Sequence, residues 1–408
     1  MTTSARLRRI VATAILAAAA VLGASGTATA QDEVEPGAAE LAARYAPIVV
    51  TRDQEGACDR GGEAYRPTGV EVVLDKPAVV LRDGDGQIVA RGPGAADLAG
   101  LGPETSLDFP GNPRRAGCGF EQDFIAFAAG EPDVAYAHIA REAAAPDRLV
   151  LQYWFFWYFD DYVNTHEGDW EFIQIVFPAT TAEEALEATP LEVGYSQHSG
   201  GERAAWDDDK LERRGDHPVV YAGAGSHANF FTSDLYLGRS ADEGFGCDDT
   251  TGPSTFRPTE ARLLPATGAE GRGDLAWLSF EGRWGEFQPS PYDAPPGPAA
   301  KGEWDAPMTW QDSLRDGSFA IPANRTLGPT ATDAFCSVVR TGGRIYTAVT
   351  SPYVLLLLVA GLVSVGGVAA RSTRWSPPVP LPLRRRRASG QILRDAGRFY
   401  RAHRPVML

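Results

Sequence analysis

Residues 150–177 read VLQYWFFWYFDDYVNTHEGDWEFIQIVF, two apolar runs around a polar turn. Leu151 to Phe159 is almost continuously apolar and aromatic, which suits a strand buried on both faces. From Asp169 a period of two sets in. Asp169, Glu171, Ile173, Ile175 and Phe177 share one face, while Trp170, Phe172, Gln174 and Val176 take the other. Asp169 and Glu171 therefore point the same way at a strand start, roughly 7 Å apart at Cβ. Asp160, Asp161, His166, Glu167, Asp169 and Glu171 fall within twelve residues. A loop ending in His166 folds over the carboxylates. That is a cradle for a hard divalent cation, Ca²⁺ or Mg²⁺, which takes several carboxylate oxygens.

Outward from this stretch, strands are expected at Ala46–Val50, Leu191–His198, His217–Ala224 and Leu275–Glu281, and a hairpin over 69–91 turning at Asp83-Gly-Asp-Gly86. Phe120–Glu142 fits helix or strand, Ala182–Ala188 a short helix, and 240–275 irregular structure. Many short strands split by turn clusters predict a mainly β fold, a β-sandwich with long irregular loops.

The termini read differently. Residues 1–30 have the basic, apolar and small-residue regions of a signal peptide. Residues 345–370 carry no charge across 26 positions, enough for one transmembrane helix over 346–370. The 371–408 segment holds ten arginines against Asp395, which by the positive-inside rule makes it a basic cytoplasmic tail. These features predict a single-pass cell-membrane protein with residues 31–345 outside the cytoplasm. Residues 31–370 carry 25 basic and 52 acidic side chains, near −27. That field repels phosphates and excludes nucleic acid as a partner. Cys58, Cys118, Cys247 and Cys336 suggest two disulfides. Of three connectivities, sequence proximity favours Cys58–Cys118 with Cys247–Cys336. No Cys/His spacing suits a structural zinc.

HEGDWE at 166–171, YSQHSGG at 195–201, HPVVYAGAGSHANFF at 217–231, FEGRWGE at 280–286 and GEWDAPMTW at 302–310 follow one another in an order that resembles the vacuolar protein sorting-associated protein 62 family. The likeness covers about 150–310. That family is distantly similar to the necrosis-inducing cytolysins, whose signature is His-x-His-Asp-Trp-Glu. The resemblance implies a β-sandwich with a divalent cation held by carboxylates near histidines. His166, Asp169 and Glu171 match that signature, and Gly168 stands where it has a second histidine. The fourth ligand expected is Asp161, with Asp160 or Asn164 as substitutes. His198 and His227 each follow a strand beside small residues and resemble the histidines lining the cytolysin site.

Other chemistry is excluded by pattern. A zincin needs His-Glu-x-x-His on a helix, but Trp170 holds the second histidine's place. Gly223-Ala-Gly225-Ser-His-Ala228 mimics a dinucleotide loop, but no helical sequence follows. No Gly-x-Ser-x-Gly elbow is present. Three functions remain. A cation at Asp161, His166, Asp169 and Glu171, with His198 and His227, binds a glycan or lipid head group. Alternatively the same ion activates water in a hydrolase. In the third, the carboxylates form a structural network, with Arg283 as a partner.

Overall fold

The computed structural model describes residues 35–59, 61–240, 244–290, 292–322, 328–350, 352–372 and 388–407. The signal-peptide stretch and Arg384–Arg387 lie outside these residues. The chain divides into two units, Met1–Thr347 and Ala348–Leu408.

The first unit is built on a six-stranded sheet. Its order is Glu260–Leu263, Val134–Ala140, Leu149–Asp160, His166–Phe177, Glu192–Gln197 and Gly200–Ala205. The first pair is parallel and the rest antiparallel. The two central strands have twelve residues each, and every residue in them is buried. Their aromatic side chains supply much of the main core, where Trp154, Trp157, Trp170, Trp277 and Trp284 are almost fully enclosed. Trp170, Trp277 and Trp284 meet with centroids 5.3 to 5.7 Å apart, in stacked and edge-on geometries that aromatic pairs favour.

A second sheet orders Arg213–Arg214, His217–Ala222, Ile48–Arg52 and Ser254–Pro258, with Asn229–Phe230 added to His217–Ala222. Here Ile48–Arg52 lies parallel to His217–Ala222 and antiparallel to Ser254–Pro258. Two three-stranded sheets flank these. One joins Gly244–Asp249, Asp234–Ser240 and Ala320–Pro322; the other joins Ile88–Arg91, Val80–Arg82 and Ser106–Asp108.

The expectation of a mainly β sandwich is corrected. The protein is a mixed α/β chain, 32% helix and 28% strand. Much of the helix lies at 329–350, 352–372 and 389–402, and of these only the middle segment was expected to be helical, as a membrane span. Residues 273–279 also form a 3₁₀ helix where a last strand was expected.

The transmembrane expectation is corrected too. Among the described residues, no helix is long and apolar enough to cross a membrane. The uncharged 345–370 stretch is shared between a helix ending at Thr350 and another starting at Pro352. The single-pass placement, and with it the cytoplasmic tail, has no support.

Both expected disulfides are formed, Cys58–Cys118 and Cys247–Cys336. The second fastens helix 329–350 to the strand Gly244–Asp249. Arg52, almost fully buried, works alongside it by pairing with Asp249 at 2.5 Å and Asp333 at 2.8 Å.

Candidate carboxylate pocket

The pocket forms where the two central strands meet their turn. Asp160 is paired with His166 and Trp157 with Asp169, so the last residue of one strand faces the first of the next. Gly168 is in the left-handed region, φ +54°. A Cβ there would overlap the Trp284 carbonyl oxygen. The position of the cytolysin signature's second histidine therefore has no room for any side chain.

Asp160, His166, Asp169, Glu171, Ser196, His198, Ser226, Lys301, Glu303 and Trp310 line a cavity of about 150 Å³. Asp160, His166, Asp169 and Glu171 are all under 9% exposed. Asp161 does not join them. It is exposed, and its backbone N–H donates to Gly225 O at 3.0 Å. Asp160 takes the inward place, its Oδ1 accepting from the Tyr162 N–H. Arg283 is also elsewhere, on Asp293.

His166 is oriented as metal-ligating histidines are. Its Nδ1 donates to Gly168 O at 2.8 Å, which leaves Nε2 as the acceptor edge, 3.8 Å from Asp160 Oδ2. Three carboxylates and one imidazole edge thus line the same cavity.

His227 has another part. Ligand atoms of Asp160, Asp169 and His227 lie within 4.8 Å of one another. Yet His227 is fully buried behind Asp169, not in the cavity wall. Its Nδ1 donates to Asp169 Oδ2 at 2.9 Å, and its Nε2 is 3.6 Å from Glu63 Oε1. Burial opposes charging it, but Glu63 and Asp169 prevail and hold its pKa at about 10. The imidazolium is thus a fixed cation that orients Asp169. Burial pushes the Asp169 carboxyl up, and the His227 hydrogen bond overrides this to keep it below the usual range.

The other carboxyls are pushed up by burial first and by neighbouring Asp169 next. Asp160 reaches about 7 and Glu171 about 8. Glu171 is also bonded by Ser196 Oγ, which in turn accepts from the Phe172 N–H. Lys301 Nζ donates to Trp170 O at 2.6 Å and lowers both Asp169 and Glu171. Among the described residues it is the lysine in this wall.

His198 does line the cavity, its Nε2 3.1 Å from Asp248 Oδ2 and its ring stacked on Tyr162. His198 and His227 both sit at positive φ, +53° and +56°, a conformation that costs a non-glycine residue energy and clusters at functional sites. Glu63 and Asp248 escaped sequence reasoning because they come from segments remote from 150–177, while Ser196, inside the 195–201 motif, and Lys301, next to the 302–310 motif, were not singled out. His217 is structural, donating to Ala46 O, and so is His138, stacked on Trp304.

No protein-family model matches the chain, and no curated protein matches it. Among solved structures, the chain is similar to the non-toxic HaNLP3 protein, at 13% identity over 68% of this chain and 91% of that one, TM-score 0.32. It is similar to NLPPya in complex with glucosamine, at 14% identity over 59% and 81%, TM-score 0.28. A third is Necrosis and Ethylene inducing Protein 2 from the causal agent of cocoa's Witches Broom disease, at 13% over 55% and 72%, TM-score 0.24. These neighbours belong to the necrosis and ethylene-inducing protein fold. At such scores the likeness assigns no activity to this chain.

Proposed function

We propose that this protein is a glycan-binding module whose pocket holds a divalent cation, Ca²⁺ or Mg²⁺. Asp160, His166, Asp169 and Glu171 would hold the ion. The observation that carries the reading is their meeting in one cavity, with His166 turned so that its acceptor edge faces Asp160. A cation in such a site coordinates sugar hydroxyls directly. Trp310, half-buried against Phe172 at 4.4 Å, offers an aromatic wall for a sugar face. Lys301, His198 and Glu303 supply polar contacts at the rim. The motif order that resembles the vacuolar protein sorting-associated protein 62 family belongs to this reading.

The test is a calorimetric titration of the full chain with glucosamine and mannosamine, after EDTA and again after Ca²⁺ or Mg²⁺. These sugars are ligands of two similar solved structures. Cation-dependent sugar binding, lost in Asp169→Asn, is the expected result. Sugar binding unchanged by EDTA would remove the ion from the site, and no sugar binding under any condition would remove the glycan.

One observation favours a second reading. Asp169 is held ionised while Glu171 beside it is held protonated to about 8. Carboxyls split in this way can serve as base and acid. Turnover of a glycoside panel, abolished by Glu171→Gln, would support a hydrolase, and a blank panel would dismiss it.

A further inference from the structure

We propose that Asp108, Glu167 and Glu286 form a second cation site, for Ca²⁺, separate from the pocket. Ligand oxygens of the three lie within 4.8 Å of one another. None of them lines the first cavity.

Proximity of acids alone does not make a site; the bonding of Glu167 points to an ion. This residue is fully buried. Its Oε2 accepts two backbone N–H bonds, from Phe109 and Glu286, both at 2.9 Å. Its Oε1 is buried with no hydrogen-bond partner. A carboxylate oxygen shut away from water with nothing to bond is costly. The Glu167 carboxylate lies among two further carboxylates, and a cation shared by the three would offset their charge.

The charge count agrees. Among the described residues the guanidinium bonded to this group is Arg82, at 2.6 Å from Asp108 Oδ2. With all three ionised, as a bound ion would require, three carboxylates against one guanidinium leave two negative charges, the charge of one divalent ion. The donors are all oxygen, with no imidazole or thiolate, which suits calcium over zinc.

The site would join three separate segments. Asp108 ends the strand Ser106–Asp108, Glu167 is in the central strand, and Glu286 follows the Trp284 loop. These segments already touch through Leu107 N–H to Arg283 O and Arg283 N–H to Thr105 O, both 2.9 Å. An ion here would clamp the base of the pocket strand from its far side.

The probe is Tb³⁺, displaced by Ca²⁺, with luminescence sensitised by tryptophan; Trp284 is two residues from Glu286. The full chain carrying Asp160→Asn, Asp169→Asn and Glu171→Gln lacks the first site's carboxylates. It is expected to keep one equivalent of calcium-displaceable Tb³⁺, lost when Glu286→Gln or Asp108→Asn is added. In the otherwise native chain, Glu286→Gln is expected to remove one equivalent and leave any first-site binding in place. Circular dichroism checks that each variant is folded, and Asp108→Asn serves if Glu286→Gln is not. A chain with no equivalent sensitive to either substitution overturns the proposal. If the pocket binds no ion, native protein shows a single equivalent, lost with Glu286→Gln and kept in Asp169→Asn, so the two sites fail separately.

Discussion

The His227 imidazole lies flat on the Trp157 indole, with 4.2 Å between centroids and 8° between planes. Trp157 is itself paired across the hairpin with Asp169. The charged ring is therefore held from one side by an aromatic face and at its edges by Asp169 and Glu63. A cation over an aromatic face is stabilised, more so when desolvated.

His227→Gln removes that charge and leaves two buried carboxylates facing each other. Breaking a buried pair in this way costs about 3–5 kcal/mol. Urea unfolding of the variant should show a loss of that size. A loss under about 1 kcal/mol would mean that His227 is neutral in the folded protein.

Gly168→Ala puts a methyl group against the Trp284 carbonyl at a positive φ. Strain of this kind costs about 1–3 kcal/mol before any overlap is counted. Thermal melting should fall by several degrees, with the same change at Gly86, where nothing lies within 4 Å, costing less.

Stability of the metal-free protein should fall as pH rises from 5 to 9. Asp160, Glu167 and Glu171 have folded-state pKa values raised by burial to about 7, 8 and 8. A raised pKa contributes stability that is complete below the unfolded value and is lost as pH climbs through the folded one. His227, raised to about 10, acts in the same direction from 6.5 upward. Asp169 runs oppositely and loses its contribution only in acid. A bound cation needs these carboxylates ionised, so the gain in melting temperature from Ca²⁺ should grow across the same range. A melting temperature that is flat with pH in EDTA would contradict the buried protonated carboxyls.

Lys301→Met should tighten cation binding several-fold, because the ammonium repels an ion placed among Asp169 and Glu171. Calorimetric titration of both proteins reads the change. Weaker binding in the variant would show that Lys301 instead holds the pocket wall in place through Trp170.

Cys336→Ser should cost about 2–5 kcal/mol. The bridge spans 89 residues and fastens helix 329–350, which Asp333 also holds through Arg52. Proteolysis within 329–350 should accelerate in the variant.

Much of the hairpin was legible, because alternation from Asp169 onward encodes a strand directly. The swap of Asp160 for Asp161 shows the limit. Successive residues leave a strand on opposite faces, so whether the strand ends at 159 or 160 decides which carboxylate turns inward. That depends on the Asp160 pairing with His166, a contact across the turn. Ser254–Pro258 and Glu260–Leu263 were missed because they are short and half-exposed, with partners some 120 to 200 residues away. Glu63 and Lys301 reach the site from equally distant segments. Nothing near Glu63 in sequence marks a function, and Lys301 stands just outside the 302–310 motif. The helix at 352–372 was read as a bilayer span because its composition gives length and polarity, not where a helix stops.

The strand Ile48–Arg52 has a consequence for how the protein is made. Its two neighbours, His217–Ala222 and Ser254–Pro258, are synthesised about 170 and 200 residues later. At roughly 5–20 residues per second, the earliest strand waits on the order of ten seconds or more for an edge to join. During that wait the strand, with its three apolar residues Ile48, Val49 and Val50, is an open template for other chains. Completion of this sheet, with its long loop closures, is therefore the step most exposed to aggregation, and nascent chains ending before 254 should depend most on chaperones.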